Sequence, residues 1–156
     1  MIDEKDDIAG KLVLGRREVV AIPEWGIRRV RAKVDTGART SSIHVGRIEV
    51  IDDRVHFDVM LSRKNPTKAV PVEAALARMA SVRPSTGEAQ SRPVVEVEIV
   101  IGSVRRRIEL TLVCRRGMLC RMLLGRSAIE GDFLVDPSRK YIQGKPAIDR
   151  QRKDAS

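Results

Sequence analysis

Four separate segments of this chain alternate apolar and polar residues, and this pattern constrains its fold more than any other feature. The alternating apolar positions are Val30, Ala32 and Val34; Val55, Phe57, Val59 and Leu61; Val95, Val97 and Ile99; and Ile108, Leu110 and Leu112. A period of two places every second side chain on one face of a β-strand, so that this face is buried while the other is solvated. The pattern therefore predicts four half-buried strands.

Turn-forming pairs lie between successive strand-like runs. Asp52-Asp53 precedes the run that starts at Val55, and Gly102-Ser103 separates the last two runs. Asp and Gly readily adopt the backbone conformations that tight hairpins need, so antiparallel pairing follows. Because helical signal is sparse as well, the sequence predicts an all-β fold: a mostly antiparallel, closed or nearly closed barrel with one or two short helices.

Helix formers are concentrated in two short places. Residues 72–80 (VEAALARMA) favour a helix by composition, although Pro71 and Pro84 flank them and an extended excursion is an equal alternative. Residues 127–130, which follow Gly125-Arg126, are predicted to form one or two helical turns. Helix therefore contributes little to the predicted architecture.

Length and composition fit one soluble domain. The chain has 156 residues, of which 42% are hydrophobic and 33% charged, and its apolar runs stop at three or four residues. About 18 apolar residues are needed to cross a bilayer, so no membrane span is expected. The acidic start at residues 3–7 is unlike a signal peptide. We expect a cytoplasmic protein with a flexible acidic N-terminus (1–11), one domain (12–143) and a disordered basic tail (144–156).

The chain is strongly basic, with 30 Lys and Arg against 21 Asp and Glu and a net charge of +9. The cations cluster at Arg28, Arg29, Arg31 and Lys33; at Arg105, Arg106 and Arg107; and at Arg115, Arg116 and Arg121. Such clusters indicate either a solvated face, attraction of an acidic substrate, or contact with nucleic acid or the ribosome. The only aromatic residues are Trp25, Phe57, Phe133 and Tyr141, and this scarcity disfavours binding by base stacking.

The residues that commonly bind metals show no recognisable ligand spacing. The candidates are His44, His56, Cys114 and Cys120, and the chain contains neither a His-Glu-x-x-His motif nor a phosphate-binding Gly-rich loop ending in Lys-Ser/Thr. Two cysteines five residues apart in a cytoplasmic protein are expected to be reduced thiols. We therefore assign no metal and no cofactor.

A carboxylate at the end of a predicted strand is the most informative candidate for chemistry. Asp35-Thr36-Gly37-Ala38 directly follows the run that ends at Val34. Taken alone, such a tripeptide more often forms a plain turn in which the Asp side chain bonds the backbone. Further along, Met122-Leu123-Leu124-Gly125-Arg126 pairs bulky aliphatic residues with Gly before a short helical turn. The presence of both elements, in this order, favours a functional site.

These two elements resemble the retropepsin-like aspartic proteases, in which Asp-Thr-Gly-Ala forms the catalytic loop and a later hydrophobic-hydrophobic-Gly-Arg segment packs behind it. The sequence is similar to a bacterial group of small retropepsin-like proteins that carry the label ATP-dependent zinc protease and are linked to RimK-type glutamate ligases. The similar segments are residues 13–18, 35–44, 92–95, 123–126 and 133–138. The resemblance covers most of the chain and implies a retropepsin-like closed barrel over 12–143.

The resemblance also implies an aspartic mechanism. Two carboxyls about 3 Å apart cannot both ionise, so they share a proton; one activates a water while the other hydrogen-bonds the peptide carbonyl. The chain contains a single Asp-Thr-Gly. The two carboxyls must then be Asp35 from each of two chains that meet at a two-fold axis, which implies a homodimeric peptidase.

Individual roles follow from the same resemblance. Asp35, Thr36 and Gly37 are the expected catalytic loop; Ala38, Arg39 and His44 are expected to line the substrate site; and Leu123, Leu124, Gly125 and Arg126 are expected to support the loop from behind. Thr36 would bond across the dimer axis, and Gly37 permits a close backbone approach. Arg39 would bind a substrate carboxylate through two hydrogen bonds. For His44, a hydrogen-bonded strand histidine is the alternative.

The expected substrate is an acidic, glutamate-rich protein segment, such as a ribosomal-protein tail modified by a RimK-type ligase. The net charge and the position of Arg39 favour it, and so does the family's link to those ligases. One alternative is a retropepsin-fold module without catalytic activity that binds an acidic peptide or the ribosome. The other is a basic barrel that binds RNA, for which Asp35 would not matter.

Overall fold

The computed structural model describes residues 8–62, 64–65, 67–83, 87–114 and 120–148, and within these ranges the chain is mostly strand. The strands are β1 (Leu12–Leu14), β2 (Arg17–Ile22), β3 (Ile27–Val34), β4 (Ser41–Ile51), β5 (Arg54–Met60), β6 (Ala69–Ala75), β7 (Arg78–Val82), β8 (Gln90–Ile101), β9 (Val104–Val113), β10 (Met122–Leu124) and β11 (Phe133–Val135). A 3-10 helix spans Pro23–Trp25, and one short α-helix, α1, spans Arg126–Ile129. No helix in the described ranges is long and apolar enough to span a bilayer.

Six of the strands close into a barrel. Their order is β10, β3, β2, β8, β9 and β4, and β4 pairs with β10 to complete the ring. The hairpins β2–β3 and β8–β9 are antiparallel, whereas β4–β9 and β10–β3 are parallel. Strands β5 and β6 extend from β4 as an antiparallel layer. The prediction of an all-β, retropepsin-like closed barrel with few helices is confirmed.

All four alternating segments form strands, namely β3, β5, β8 and β9. Their apolar positions point into one core, in which Phe57, Val97 and Leu110 are fully buried. Both predicted turns are present as well, because Asp52 and Gly102 take the left-handed conformation at φ values of 56° and 57° between paired strands.

The helix that composition favoured over residues 72–80 is absent, and the extended alternative is correct. Residues 72–75 belong to β6 and residues 78–80 to β7, and these strands pair with β5 and β8. Val72 lies opposite Phe57, and Arg78 lies opposite Val94. Pairing with two existing strands satisfies the backbone, and it outweighs the modest helix preference of alanine. The helical turn predicted at 127–130 is confirmed as α1.

A buried carboxylate holds the C-terminal segment against the barrel. Glu18 of β2 is fully buried and accepts hydrogen bonds from the backbone N–H groups of Gly15, Ile142 and Gln143, at 2.7, 3.0 and 3.1 Å. Further along, the Ala147 N–H donates to the Gly102 carbonyl. Residues up to 147 therefore contact the barrel, while the outer parts of the two predicted tails, 1–7 and 149–156, lie outside the described residues.

Candidate active site

The Asp35 loop is positioned by a strand inserted between its two flanking strands. β10 pairs in parallel with β3, where Leu124 lies beside Val34, and antiparallel with β4, where Leu123 lies beside Ser42. Because β3 and β4 are consecutive in the chain, the residues that connect them, 35–40, must pass around the end of β10. Asp35 is the first residue of that connection.

Backbone hydrogen bonds fasten this loop to β10 and α1. The Asp35 N–H donates to the Leu124 carbonyl at 2.9 Å, and the N–H groups of Arg126 and Ser127 donate to the carbonyls of Ala38 and Arg39 at 2.8 and 3.0 Å. The first N–H groups of a helix have no partner within the helix. Here the loop supplies those partners, so the start of α1 and the loop fix each other.

Gly125 allows the two segments to approach this closely. Its N–H donates to the hydroxyl of buried Ser41 at 3.0 Å. A Cβ added to Gly125 would lie 2.5 Å from the Thr40 carbonyl oxygen and 2.6 Å from its carbon. Since both are backbone atoms, they cannot move aside as a flexible side chain would. The glycine of the Leu-Leu-Gly element is therefore a packing requirement of the loop.

The Asp35 carboxyl lies half-buried at the surface end of this arrangement, beside the exposed Thr36 and Gly37. Its Oδ1 accepts a 2.9 Å hydrogen bond from the Gly37 N–H. Such a bond also forms in a plain turn, so by itself it does not distinguish the two interpretations of the motif. Among the described residues no group bonds Oδ2, which leaves that oxygen available to water or to a second carboxyl.

Two arginines support the loop and the helix behind it. Arg126, which the sequence predicted as a support, donates from Nη1 to the Thr36 carbonyl at 2.9 Å. Arg106 of β9 binds the other end of α1: it contacts the carbonyls of Ser127 and Glu130 and the Asp132 carboxylate. Sequence reasoning placed Arg106 only in a basic cluster. Arg105 and Arg107 are exposed, whereas Arg106 is half-buried. This alternation in exposure along β9 is the signal that distinguishes Arg106.

Arg39 lies on the exposed side of the loop, close enough to Glu109 of β9 to influence its ionisation. The pKa of Glu109 is lowered chiefly by hydrogen bonds from Arg78, at 2.9 and 3.1 Å, while burial opposes this shift and the charges of Arg78 and Arg39 add to it. Arg39, the predicted substrate-binding cation, therefore lies near the Glu109 carboxylate, which is already hydrogen-bonded by Arg78.

His44 is placed differently from the exposed loop residues. It is only 7% exposed in β4, opposite Val113 of β9. Burial lowers the pKa of its imidazole, the nearby charge of Arg121 lowers it further, and a backbone hydrogen bond at Val113 opposes both. This environment favours a neutral ring at neutral pH and agrees better with the strand-histidine alternative than with a substrate contact.

The described residues provide no donor set for the zinc of the family label. They hold no group of three or more His, Cys, Asp or Glu side chains placed to bind a metal ion. Cys114 is exposed and Cys120 buried, and both are free thiols. The described side chains therefore do not fit a zinc ion.

Comparison with known proteins agrees with this geometry. Residues 13–146 match the model of the RimB-like family, described as the retropepsin-like aspartic endopeptidase RimB. A solved structure of a protein of unknown function from Legionella pneumophila is similar, with a TM-score of 0.69 and 27% identity, covering 84% of this chain and 97% of that one.

Curated relatives carry a different name. Proteins called probable alpha-L-glutamate ligase from Shewanella pealeana and Desulfotalea psychrophila are 34% and 33% identical over 139 and 143 residues. The matches cover 86% and 89% of this chain but only 30% and 31% of those proteins. The chain therefore spans less than a third of the length of these relatives.

Proposed function

The chain belongs to the RimB-like family of retropepsin-like aspartic endopeptidases, and on that premise we propose that it is a homodimeric aspartic peptidase whose catalytic carboxyls are Asp35 from each subunit. One observation carries the proposal. The Asp35 loop passes around the end of β10 and is fastened there by Leu124, Arg126 and Ser127. A plain surface turn has no need of such support from a segment nearly ninety residues away in sequence.

The proposed chemistry uses the two Asp35 carboxyls and one water. With one proton shared between them, the ionised carboxylate accepts a proton from the water as its oxygen adds to the peptide carbonyl carbon. The protonated carboxyl donates to the carbonyl oxygen. The C–N bond then breaks, and the amine leaves with a proton returned by the dyad. Within each loop the Gly37 N–H holds one oxygen of Asp35 at 2.9 Å, which orients the other toward the water.

We propose an acidic, glutamate-rich protein segment as the substrate. The net charge of +9 and the exposed position of Arg39 in the loop support it. The relatives named probable alpha-L-glutamate ligase support it too, because a domain shared with an enzyme of that name would meet glutamate-rich chains. A ribosomal-protein tail modified by a RimK-type ligase in the cytoplasm is the proposed setting.

A second candidate function is a retropepsin-fold module that binds an acidic chain without cleaving it. The names and lengths of the relatives favour this alternative, since the matched region is about 30% of proteins named as ligases. In that case the module would bind an acidic peptide, the ribosome or RNA, and Asp35 would have no chemical role.

Asp35→Asn decides between the two. This variant should fold normally and lose cleavage of a glutamate-rich peptide by about 1,000-fold or more, as followed by mass spectrometry. Asp52→Asn is the matched control, because Asp52 lies in the β4–β5 turn with a φ of 56°, which asparagine also tolerates. Wild-type cleavage by Asp35→Asn would reject the peptidase proposal. Tight peptide binding without cleavage by the wild type would support the module instead.

The zinc label is tested with the same peptide. After dialysis against EDTA we expect wild-type cleavage to continue at its former rate, because the proposed chemistry uses only the two Asp35 carboxyls and water. Loss of activity in the chelator that added zinc restores would support the metal label and reject the mechanism given above.

A further inference from the structure

Positive charge is distributed unevenly over the barrel. Nine ion pairs among the described residues take their cations from β4, β5, β7 and β9. Five cations of the β2–β3 hairpin have no acidic partner among the described residues: Arg17, Arg28, Arg29, Arg31 and Lys33. Arg29, Arg31 and Lys33 alternate along β3, and Arg17 lies opposite Lys33. We call these four residues the basic track.

The basic track is one continuous row on the outer face of the barrel. In β3, Arg29, Arg31 and Lys33 are exposed while the residues between them are buried. Residues two apart in a strand are about 6.7 Å apart on the same face. Arg17 lies directly opposite Lys33 in the antiparallel register, so it extends the row onto β2. The row ends two residues before Asp35.

On the other long hairpin of the barrel, β8–β9, acidic and basic side chains neutralise each other. On β8 and β9, Glu98 pairs with Arg105 at 2.9 Å, and Arg107 lies 3.8 Å from Glu96. Opposite charges across strands stabilise a sheet, and like charges directly opposite, such as Arg17 and Lys33, destabilise it. The basic track therefore carries unfavourable repulsion that a bound anionic chain would relieve.

We propose that the basic track is a docking site for an extended acidic peptide. One part of the substrate peptide binds the track while a distal part of the same peptide reaches Asp35. The proposal rests on the proposed function for its catalytic half. In an extended peptide, side chains on one face also repeat about every 6.7 Å, so successive carboxylates match successive cations. Neither β2 nor β3 contains an aromatic residue on which a base could stack, which favours peptide over single-stranded RNA.

Binding is tested in an Asp35→Asn background, so that cleavage does not interfere. The probe is a fluorescent peptide of ten glutamates, followed by anisotropy at low salt. Combined replacement of Arg29, Arg31 and Lys33 by Gln should weaken binding at least about tenfold and reduce its salt dependence. The control replaces Arg47, Arg54 and Arg105 by Gln, which removes the same charge from ion-paired positions, and it should change affinity less than about threefold.

Three outcomes would overturn the docking site. The two triple variants could weaken binding equally, which would show an effect of net charge alone. The triple variant of the track could bind as tightly as its parent. A ten-nucleotide RNA could bind more tightly than the peptide in a track-dependent manner, which would make the surface a nucleic-acid site.

Cleavage gives a second readout that separates this proposal from the peptidase itself. The wild type should prefer a ten-residue acidic peptide over a four-residue peptide with the same cleavage site, and the track variant should lose that preference through KM. If the wild type binds the long peptide through the track yet cleaves nothing, the peptidase proposal fails while the docking site stands. An unchanged preference in the variant would reject the docking site alone.

Discussion

The guanidinium of Arg126 donates a 2.9 Å hydrogen bond to the carbonyl oxygen of Thr36, 90 residues earlier in the chain. The backbone N–H of the same residue donates to the Ala38 carbonyl at 2.8 Å. Arg126 therefore holds the loop at two points, one on each side of Gly37. The conformation of the proposed catalytic loop depends on the position of α1, which Arg106 fixes from its other end.

Arg126→Lys should lower kcat about tenfold and leave KM nearly unchanged. The backbone bond to Ala38 remains in this variant, but the compact ammonium replaces the guanidinium that reaches Thr36. Loss of a hydrogen bond from a charged donor costs on the order of 1.5 kcal/mol, which corresponds to about a tenfold effect. The measurement is steady-state cleavage of a glutamate-rich peptide.

Arg28→Lys, at an exposed position of β3 away from the loop, is the control for Arg126→Lys and should behave as wild type. Thermal unfolding checks that both variants remain folded. If Arg126→Lys retained the wild-type kcat, the side-chain bond to Thr36 would be irrelevant to the position of Asp35.

Glu18→Gln should destabilise the protein by about 2–4 kcal/mol. The carboxylate of Glu18 accepts three backbone N–H bonds in a fully buried position, and the amide that replaces it turns an NH2 group toward at least one of these donors. Urea unfolding at neutral pH measures the effect. Glu49→Gln, at an exposed ion pair, should change the free energy of unfolding by no more than about 1 kcal/mol. Equal small effects would contradict a stabilising role for Glu18.

The sequence predicted the strands and turns that depend on the local pattern of residues. β3, β5, β8 and β9 follow from alternation, because a barrel buries one face of each strand and solvates the other. Asp52 and Gly102 identify turns because few residues adopt positive φ. For residues 72–80 the sequence left helix and extended strand as equal alternatives, because their alanines carry no strong strand preference. The pairing of β6 with β5 decides for the strand.

Contacts between segments that are distant in sequence could not be predicted from the local residue pattern. The place of the Leu-Leu-Gly element behind the loop was predicted only through family resemblance, since no periodicity shows that β10 inserts between β3 and β4. The burial of Glu18 could not be predicted either, because a glutamate in a strand is expected on the solvent face. Two of its three backbone donors belong to the distant residues 142 and 143. In the sequence Arg106 is one of three adjacent arginines, and its role is evident only from its contacts with α1.

Stability should decrease as the pH falls from 7.5 to 5.5, in part because of His44. Burial and the charge of Arg121 lower the pKa of His44 below its usual 6.5, so the unfolded chain takes up a proton before the folded protein does. This contribution is fully present above pH 6.5 and is lost as the pH falls toward the lower folded-state pKa. The urea midpoint of the wild type, measured across this range, should therefore drift downward.

His44→Gln should remove part of that drift, whereas His56→Gln provides the matched control. These are the only two histidines of the chain, and His56 lies on the half-exposed face of β5. If both variants kept the full wild-type dependence between pH 7.5 and 5.5, His44 would not titrate differently in the folded and unfolded states.

Activity per chain should fall on dilution, because each chain carries one Asp-Thr-Gly loop and the mechanism requires two carboxyls. Initial rates over a range of enzyme concentrations, compared with sedimentation velocity, should locate the loss of activity at the dissociation of the dimer. Full activity at concentrations where the protein sediments as a monomer would contradict the shared dyad.

Mixing subunits tests the dyad directly. When wild-type and Asp35→Asn chains are mixed in equal amounts and allowed to exchange, only about a quarter of the dimers carry two intact carboxyls, if association is random. The rate per wild-type chain should therefore fall to about half of its unmixed value. An equal amount of Asp52→Asn, altered only in the β4–β5 turn, should cause no such loss, because its Asp35 is intact. If Asp35→Asn left the rate per wild-type chain unchanged although the subunits had exchanged, each chain would act alone, and the second carboxyl would have to come from within the same chain.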